Sequence, residues 1–419
     1  MVSTEPLVSV VTPSYNQGSY IEATLQSVLQ QDYANLEYLV IDKESNDNTL
    51  EVLHTYAHRL RWISEQDHGQ ADAINKGFRM AKGEILGWLN SDDLYLPGTI
   101  RKIAQYFQSH PDVDMVYGEA YHVDTKGNII ERYVTEPFDL QRLSEICFIC
   151  QPTVFFRRDV FREIGPLRTD LHYCLDYDYW IRIAKRFHVG YLAEYLAHSR
   201  LHMRKKTLSK RVEVHAETLR VVKQHYGHVP VTWVYGYAAV YLTEKLMPNI
   251  FGISKDGWAS HYVRVFLRHD WQRCSYLLLH GQLPRWTNLL PLRITLGDQV
   301  VYDAIVTDRT FVIKVCLGKD QEPQGQETNE ITFYAGATPL KVAPHGDTRR
   351  HAYRLRKLSL VEKSGQERVL YADRTAYCLL LVLPVLFVWQ CWRCNHIFPY
   401  RELWEKGRKL WHALHLKAF

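Results

Sequence analysis

Two adjacent carboxylates, Asp92 and Asp93, close the run Ile85-Leu86-Gly87-Trp88-Leu89-Asn90-Ser91. Carboxylate oxygens at the end of a buried strand are hard ligands suited to Mg²⁺ or Mn²⁺, and such a cation would in turn grip a diphosphate. A second acidic pair, Asp176 and Asp178, opens the stretch Leu175 to Arg186, whose apolar spacing is helical. Acids in a first helical turn are stabilised by the helix dipole. Further on, Arg200, His202, Arg204, Lys205 and Lys206 crowd into the segment Ser199 to Thr207, enough positive charge to neutralise a diphosphate. The strand-end acids and the basic run also have a plainer use: Ser91 or Asp92 as a helix cap, and the basic run as solvated surface. The residues alone leave both uses open.

The elements that would position these groups are legible around them. Leu7 to Thr12, Tyr38 to Ile41, Arg61 to Ser64 and Ile85 to Leu89 are short buried strands by composition. Between them, Tyr20 to Gln31, Leu50 to Leu60 and Gln70 to Ala81 carry helical periodicity, and Thr99 to Ser109 follows as a further helix. Alternation of strand and helix predicts an α/β fold, a doubly wound mixed sheet whose ligands sit at the carboxyl ends of its strands. Asp114 to Gly118 is a strand, and Ala120 to Tyr133 a hairpin turned at Lys126-Gly127-Asn128.

Beyond that domain the composition changes twice. Ser209 to about Phe251 is helical by spacing, with Pro230 and Pro248 interrupting it. From Trp258 to Val361, β-branched runs recur with turn signals and without long helices, the pattern of a β-sandwich. Trp258, Trp271 and Trp286 there serve either a core or sugar stacking. Ala376 to Trp392 is apolar apart from Pro384 and Gln390, at the lower length limit for a membrane span. It is followed by Arg393, Arg401, Lys406, Arg408, Lys409 and Lys417 against Glu402 and Glu405, interleaved with Trp404 and Trp411, the composition of an interfacial membrane helix. The expected division is therefore 1–208, 209–255, 256–373 and 374–419. A chain of 419 residues, 46% hydrophobic, needs more than one core, and a net charge of +5 does not argue for nucleic acid as a partner. Eight cysteines in a chain this long are no disulfide framework, although Cys147/Cys150 and Cys391/Cys394 have Cys-x-x-Cys spacing. Met1 to Pro6 leads straight into a strand, so the expected location is the cytoplasmic face of the membrane.

Five motifs in order give the N-terminal half a specific likeness. Val8 to Asn16 (Val-Ser-Val-Val-Thr-Pro-Ser-Tyr-Asn), Ile41-Asp42 with the Ser45 to Thr49 turn, Ser64 to Gly77, Trp88 to Asp93 and Leu175 to Arg182 resemble glycosyltransferase family 2, inverting nucleotide-sugar enzymes with a GT-A fold. The later β-rich segment is similar to modules appended to bacterial surface-polysaccharide glycosyltransferases. The resemblance implies a nucleotide-diphosphate sugar as donor, a divalent metal (Mn²⁺ or Mg²⁺), and a glycan or lipid-linked oligosaccharide as acceptor. It implies a donor site from Thr12, Pro13, Tyr15, Asn16, Asp42, Asp67, Gly69 and Gln70, with Asp72 and Asn75 facing it or only stabilising their helix. Asn90, Ser91 and Asp93 would contact the donor beside the metal ligands Asp92 and His202, and Lys206 and Thr207 would meet the diphosphate. Asp176 would be the general base, with Asp178 in support. Two positions depart from the pattern: Asn90 stands where an acid is usual, and Leu175 where a glutamate is usual. Those departures keep a catalytically silent, glycan-binding scaffold as the alternative, whereas a nucleotidyltransferase should carry a basic, glycine-rich loop that Pro13 to Gly18 lacks.

Overall fold

The computed structural model describes residues 5–202, 205, 207, 210–246, 250–253, 258–266, 274–283, 289–296, 299–316, 330–335, 353–362, 364–372 and 384–391. The chain divides into two compact units, 1–234 and 235–419.

The first unit begins β1 (Val8–Ser14), α1 (Ile21–Leu29), β2 (Leu36–Asp42), α2 (Thr49–Tyr56), β3 (Arg61–Ser64), α3 (Gln70–Met80), β4 (Ile85–Trp88), β5 (Leu94–Tyr95) and α4 (Thr99–Ser109). It continues with β6 (Met115–Val123), β7 (Ile129–Arg132), α5 (Leu140–Glu145), β8 (Phe155–Arg157), α6 (Arg158–Ile164), α7 (Leu175–Ala184), β9 (Val189–Arg200) and α8 (Arg211–Tyr226). The sheet runs β3-β2-β1-β4-β8-β6-β9-β5, with β7 paired to β6. The pairs β3–β2, β2–β1 and β1–β4 are parallel, while β8 runs antiparallel to both β4 and β6. All seven residues of β1 are buried, as expected of a strand covered on both faces, which is why its sequence shows no polar alternation. Helix α3 lies close over β1, since a Cβ on Gly77 would come within 2.3 Å of Val11. This mixed, parallel-dominated sheet is GT-A-like.

The short β5 matters beyond its two residues. It pairs antiparallel with β9 through Leu94–His198 and Tyr95–Ala197. The exit of β9 is thereby brought beside the Asp92-Asp93 loop, 107 residues away in sequence from Arg200.

Helix α9 (Val231–Leu246) crosses from the first unit into the second, which holds β10 (Ile250–Ile253), β11 (Trp258–Phe266), β12 (Cys274–Gln282), β13 (Leu290–Leu296), β14 (Gln299–Val306), β15 (Thr310–Cys316), β16 (Glu330–Ala335), β17 (Tyr353–Glu362) and β18 (Glu367–Ala372). All its pairings are antiparallel, in the order β14-β13-β16-β11-β17-β12-β15, with β10 on β11 and β18 on β17. Strand β15 alternates strictly exposed and buried, and its Phe311, Ile313 and Val315 join Val263, Leu277, Ile294, Phe333 and Leu358 in one core. The helical spacing expected up to about Phe251 ends early. Pro248 cannot continue a helix, and Ile250–Ile253 pairs as a strand instead. Strand β18 lies beyond the last expected strand; it returns through a turn at Gly365, whose φ of 85° suits glycine.

Of the apolar stretch 376–392, residues 384–391 form a helix, while 376–383 and 392 onward lie outside the described residues, as do Trp271, Trp286, Gln321 to Asn329 and Lys206. Among the described residues no helix is long and apolar enough to cross a membrane.

Candidate active site

Three strand ends in register build one side of the site. Ser14 of β1 faces Asp42 of β2, which faces Ser64 of β3. Asp42 is fully buried and accepts from the Ser45 N–H (2.9 Å) and the hydroxyls of Ser45 (2.6 Å) and Ser64 (2.8 Å). It therefore fixes the turn after β2 as well as ending the strand. The loop after β1 is pinned to that turn: Asn16, at φ 52°, donates its N–H to Ser45 Oγ and accepts from Asn46 N–H, and Gly18 N–H donates to Asp47. Thr12 and Pro13 are buried, with Thr12 Oγ1 3.0 Å from Tyr38 OH, so they shape the loop from beneath. Tyr15, by contrast, is 53% exposed, with the Lys43 ammonium 5.9 Å from its ring centre. Lys43 also pairs with Asp67 (3.1 Å), whose same oxygen accepts Gly69 N–H (2.7 Å). Gly69, at φ 114°, starts α3 from this corner.

The acid pair is split by its surroundings. Asp92 Oδ2 lies 2.8 Å from His202 Nε2, and His202, 3% exposed, packs against Tyr20 with ring centres 4.6 Å apart and planes tilted by 33°. Burial pushes the Asp92 carboxyl up, but the Lys205 ammonium and the His202 hydrogen bond together hold it below its ordinary value. Asp93 accepts from the Arg200 N–H (2.8 Å) and from Lys205 Nζ (3.1 Å), yet burial, aided by neighbouring Asp92, keeps it above the ordinary value. Lys205 further donates to Ser199 Oγ and to the Arg200 carbonyl, both at 2.9 Å, and Arg200 Nε donates to the Asp92 carbonyl. Asn90 takes no part in this cluster: Gln70 donates to its carbonyl oxygen, its own amide donates to Gln151, and Gln151 donates to the Trp88 carbonyl, each at 2.8 Å. Ser91 is buried beneath the loop.

The atoms Asp92 Oδ2 and His202 Nε2 fit a hard divalent cation. Octahedral ligands at about 2.0–2.1 Å lie about 2.9 Å apart along an edge, close to the 2.8 Å seen here. Among the described residues no group of three or more acidic, histidine or cysteine side chains forms a cage, so a cation would draw its remaining ligands from water and phosphate, as Mg²⁺ commonly does.

On the other side stands α7, packed to β4 by the stacked rings of Trp180 and Trp88, 5.3 Å between centres. Asp176, in its first turn, accepts the Tyr177 N–H at 2.8 Å, and burial pushes its carboxyl up to about 6. Burial first raises the thiols of Cys147, Cys150 and Cys174 and the phenol of Tyr133, and the Asp176 carboxylate adds to each, behind Asp93 in the case of Cys150. Asp178 points elsewhere. It is fully buried, 2.8 Å from His225 and 3.6 Å from both Arg168 and Arg182, and ties α7 to α8. Asn75 is likewise turned from the donor side: its amide both donates to and accepts from the Leu167 backbone at 2.8 Å. Asp72 accepts the His68 N–H and stabilises the start of α3.

Four contributors escaped the sequence: Lys43, Gln151, Lys205 and Glu217. Lys205 belongs to the recognised basic run, but its neighbours Lys206 and Thr207 were expected at the site; Thr207 is exposed.

The strand edge thus gathers the Tyr15, Lys43 and Asp67 corner and the Asp92–His202 pair where ligands of open α/β sheets bind. The family model described as glycosyl transferase family 2 matches residues 9–165. A mycobacterial relative, the PGL/p-HBAD biosynthesis glycosyltransferase of Mycobacterium bovis, is 31% identical over 182 residues, 42% of this chain and 69% of its own. An uncharacterized glycosyltransferase of Rickettsia typhi is 29% identical over 210 residues, 47% of this chain and 64% of that relative, so the chain spans less than two thirds of it. Staphylococcus aureus TarS 1–349, solved in complex with UDP, superposes with a TM-score of 0.42 at 19% identity, over 57% of this chain and 71% of that one. The chain belongs to glycosyltransferase family 2.

Proposed function

We propose that this protein transfers a sugar from a nucleotide-diphosphate donor to a hydroxyl of a glycan or lipid-linked acceptor, with inversion, in the making of a cell-surface polysaccharide. The observation that carries the reading is the contrast between Asp92, paired with His202 at the strand edge and held low by the nearby Lys205, and Asp176, which no cation touches among the described residues and whose carboxyl is raised by burial to about 6. A carboxylate with that pKa is ionised at neutral pH yet basic enough to accept a proton. The donor's nucleotide lies along Tyr15, Lys43 and Asp67, and its diphosphate faces Asp92, His202 and Lys205. Asp176 takes the proton of the acceptor hydroxyl as that oxygen bonds to the anomeric carbon. The bond from that carbon to the diphosphate breaks, its electron pair leaving on the diphosphate. The transition state has oxocarbenium character, as in glycoside hydrolysis. A divalent ion held by Asp92 and His202 would supply Lewis-acid neutralisation of the leaving diphosphate.

The same proposal seats the enzyme on the cytoplasmic face of a membrane. Helix 384–391 exposes Val385 (70%), Val388 (50%) and Trp389 (48%) on one side, and the basic residues Arg393 to Lys417 follow it. An apolar helix face with a positive flank suits an anionic lipid surface.

The test is a thermal-shift panel of UDP-, GDP-, dTDP- and CMP-sugars with and without Mn²⁺, followed by donor turnover with the best of them. A Mn²⁺-dependent shift with one nucleotide and turnover on adding a membrane-extracted glycan acceptor are expected. A shift without any turnover would favour the silent scaffold, and no shift at all would end the donor-site assignment.

A further inference from the structure

Helix α7 starts without a cap of its own. Its N-cap residue, Cys174, makes no side-chain capping bond. The anion that the helix start requires comes from α8. Glu217, whose side chain is 6% exposed, accepts the N–H of His172 (3.1 and 3.2 Å to its two oxygens), Tyr173 (2.6 Å) and Cys174 (2.9 Å). Three consecutive backbone donors converging on one carboxylate form an anion nest of the kind that backbone amides build at turns. Around it, the Cys174 thiol donates to the Val214 carbonyl (3.5 Å) and lies 3.0 Å from the Thr218 hydroxyl, while Arg220 steadies Glu217 at 3.1 Å. Residues 214, 217 and 218 lie on one face of α8, so a single helix surface grips the chain immediately before Asp176.

The rest of this loop is held as firmly. Asn75 clamps Leu167 through both backbone groups, and Arg168 donates to Gln224 of α8 at 2.9 Å. The α6–α7 connection is thus fixed from α3 at its beginning and from α8 at its end. The titratable groups that interact electrostatically with Asp176 are Glu217, Lys205, Tyr133, Cys147, Cys150 and Cys174. Of these, Glu217 alone both bonds the backbone leading into Asp176 and carries a charge of the same sign.

The geometry points to Glu217 as the positioning residue of the general base: from α8 it holds Asp176 in place for proton transfer, at a helix start where α7 supplies only Leu175. This rests on Asp176 being the base. The charge of Glu217 works in the same direction as its bonds, because after burial it adds to what keeps the Asp176 carboxyl at about 6. A carboxylate that merely capped a helix would stabilise the fold and leave the titration of turnover unchanged.

The test uses the full-length protein with its nucleotide-sugar donor and measures kcat, donor KM and the pH profile of Glu217→Gln, Glu217→Ala, Glu217→Asp and Asp176→Asn. In Glu217→Gln, which keeps an accepting oxygen but loses the charge, the acid limb of kcat is expected to move down by about half a pH unit. In Glu217→Ala kcat is expected to fall about 100-fold, the loss typical of a displaced reacting group, with donor KM and the donor-induced thermal shift unchanged. Glu217→Asp should recover part of that loss. A Glu217→Ala enzyme with wild-type kcat, or a Glu217→Gln enzyme with a wild-type acid limb, overturns the inference while an inactive Asp176→Asn leaves the base assignment standing. A fully active Asp176→Asn overturns both. Should Glu217→Ala fail to fold, the acid limb of Glu217→Gln decides.

Discussion

The catalytic unit holds two acidic pairs, and they divide their labour by opposite means. Asp92 and Asp93 are neighbours in sequence and both belong to one cationic cluster, which holds Asp92 low and braces Asp93 against Lys205 and Arg200. Asp176 and Asp178 are two residues apart, and a helix sends such residues to different faces. There Arg168, Arg182 and the His225 ring gather on Asp178, whereas among the described residues no ion pair reaches Asp176, which accepts a backbone amide and feels Lys205 only through space. Four aspartates of identical intrinsic acidity thus stand in four different settings, and under the proposed function Asp92 is the ligand and Asp176 the base, while Asp93 and Asp178 brace the structure; burial and the placing of positive charge together separate them.

The comparison breaks most visibly at α7. Asp176→Asn should lower kcat by about 10²–10⁴-fold, the usual range for losing a general base, while leaving the donor-induced thermal shift in place. The same change should stabilise the fold at pH 7.5. Its carboxyl is raised from 3.8 to about 6, so ionisation is disfavoured in the folded state: stability falls as pH rises through that window and stays lowered above it. Removing the charge recovers at most about 3 kcal/mol, at 1.36 kcal/mol per pKa unit. Asp178→Asn should do the reverse, costing about 1–3 kcal/mol through the loss of charge-assisted bonds from a buried carboxylate to half-buried partners, read as a fall in Tm, with kcat of the folded enzyme within a few-fold of wild type. If both variants lose stability alike, the division of roles at α7 is wrong.

At the strand edge the expected effects are smaller. Asp92→Ala should weaken Mn²⁺-dependent donor binding by about 10- to 100-fold, in line with the loss of one of few protein ligands, and an unchanged affinity would move the cation elsewhere. The smallest effect concerns pH. Turnover of the wild-type enzyme should be level above about pH 6 and fall about tenfold per unit below it as Asp176 takes up its proton. A level profile down to pH 5 would contradict the raised carboxyl.

Much of this was readable before any coordinates. The parallel strands announced themselves because β1 is rich in valine and β4 is apolar throughout, and the acids stood out because they close such a run. What the sequence concealed were contacts between distant segments. Asn75 sits in a motif that suggests donor binding, yet it spends its amide on Leu167, 92 residues away. Glu217 is one more acid on an amphipathic helix until α8 is laid against α7. Asp42 could be picked out as a strand-end carboxylate, but not as one already saturated by Ser45 and Ser64. Local patterns report burial and periodicity; they do not report which partner, out of many compatible ones, a buried polar group meets.

The line of amides from Gln70 through Asn90 and Gln151 to the Trp88 carbonyl has a direction as well as a composition. A backbone carbonyl can only accept, so Gln151 must point its nitrogen there, which turns its oxygen to Asn90 and, in sequence, the oxygen of Asn90 to Gln70. The arrangement is ordered as protons are ordered along a thread of ice: one fixed end orients every member. An aspartate at position 90 would break that order at its middle, since a carboxylate has no proton to pass to Gln151 and would set its own oxygen against the Gln151 oxygen. The asparagine at this position is thus what lets the polarity of strand β4 be read out, unchanged in sense, at the mouth of helix α3.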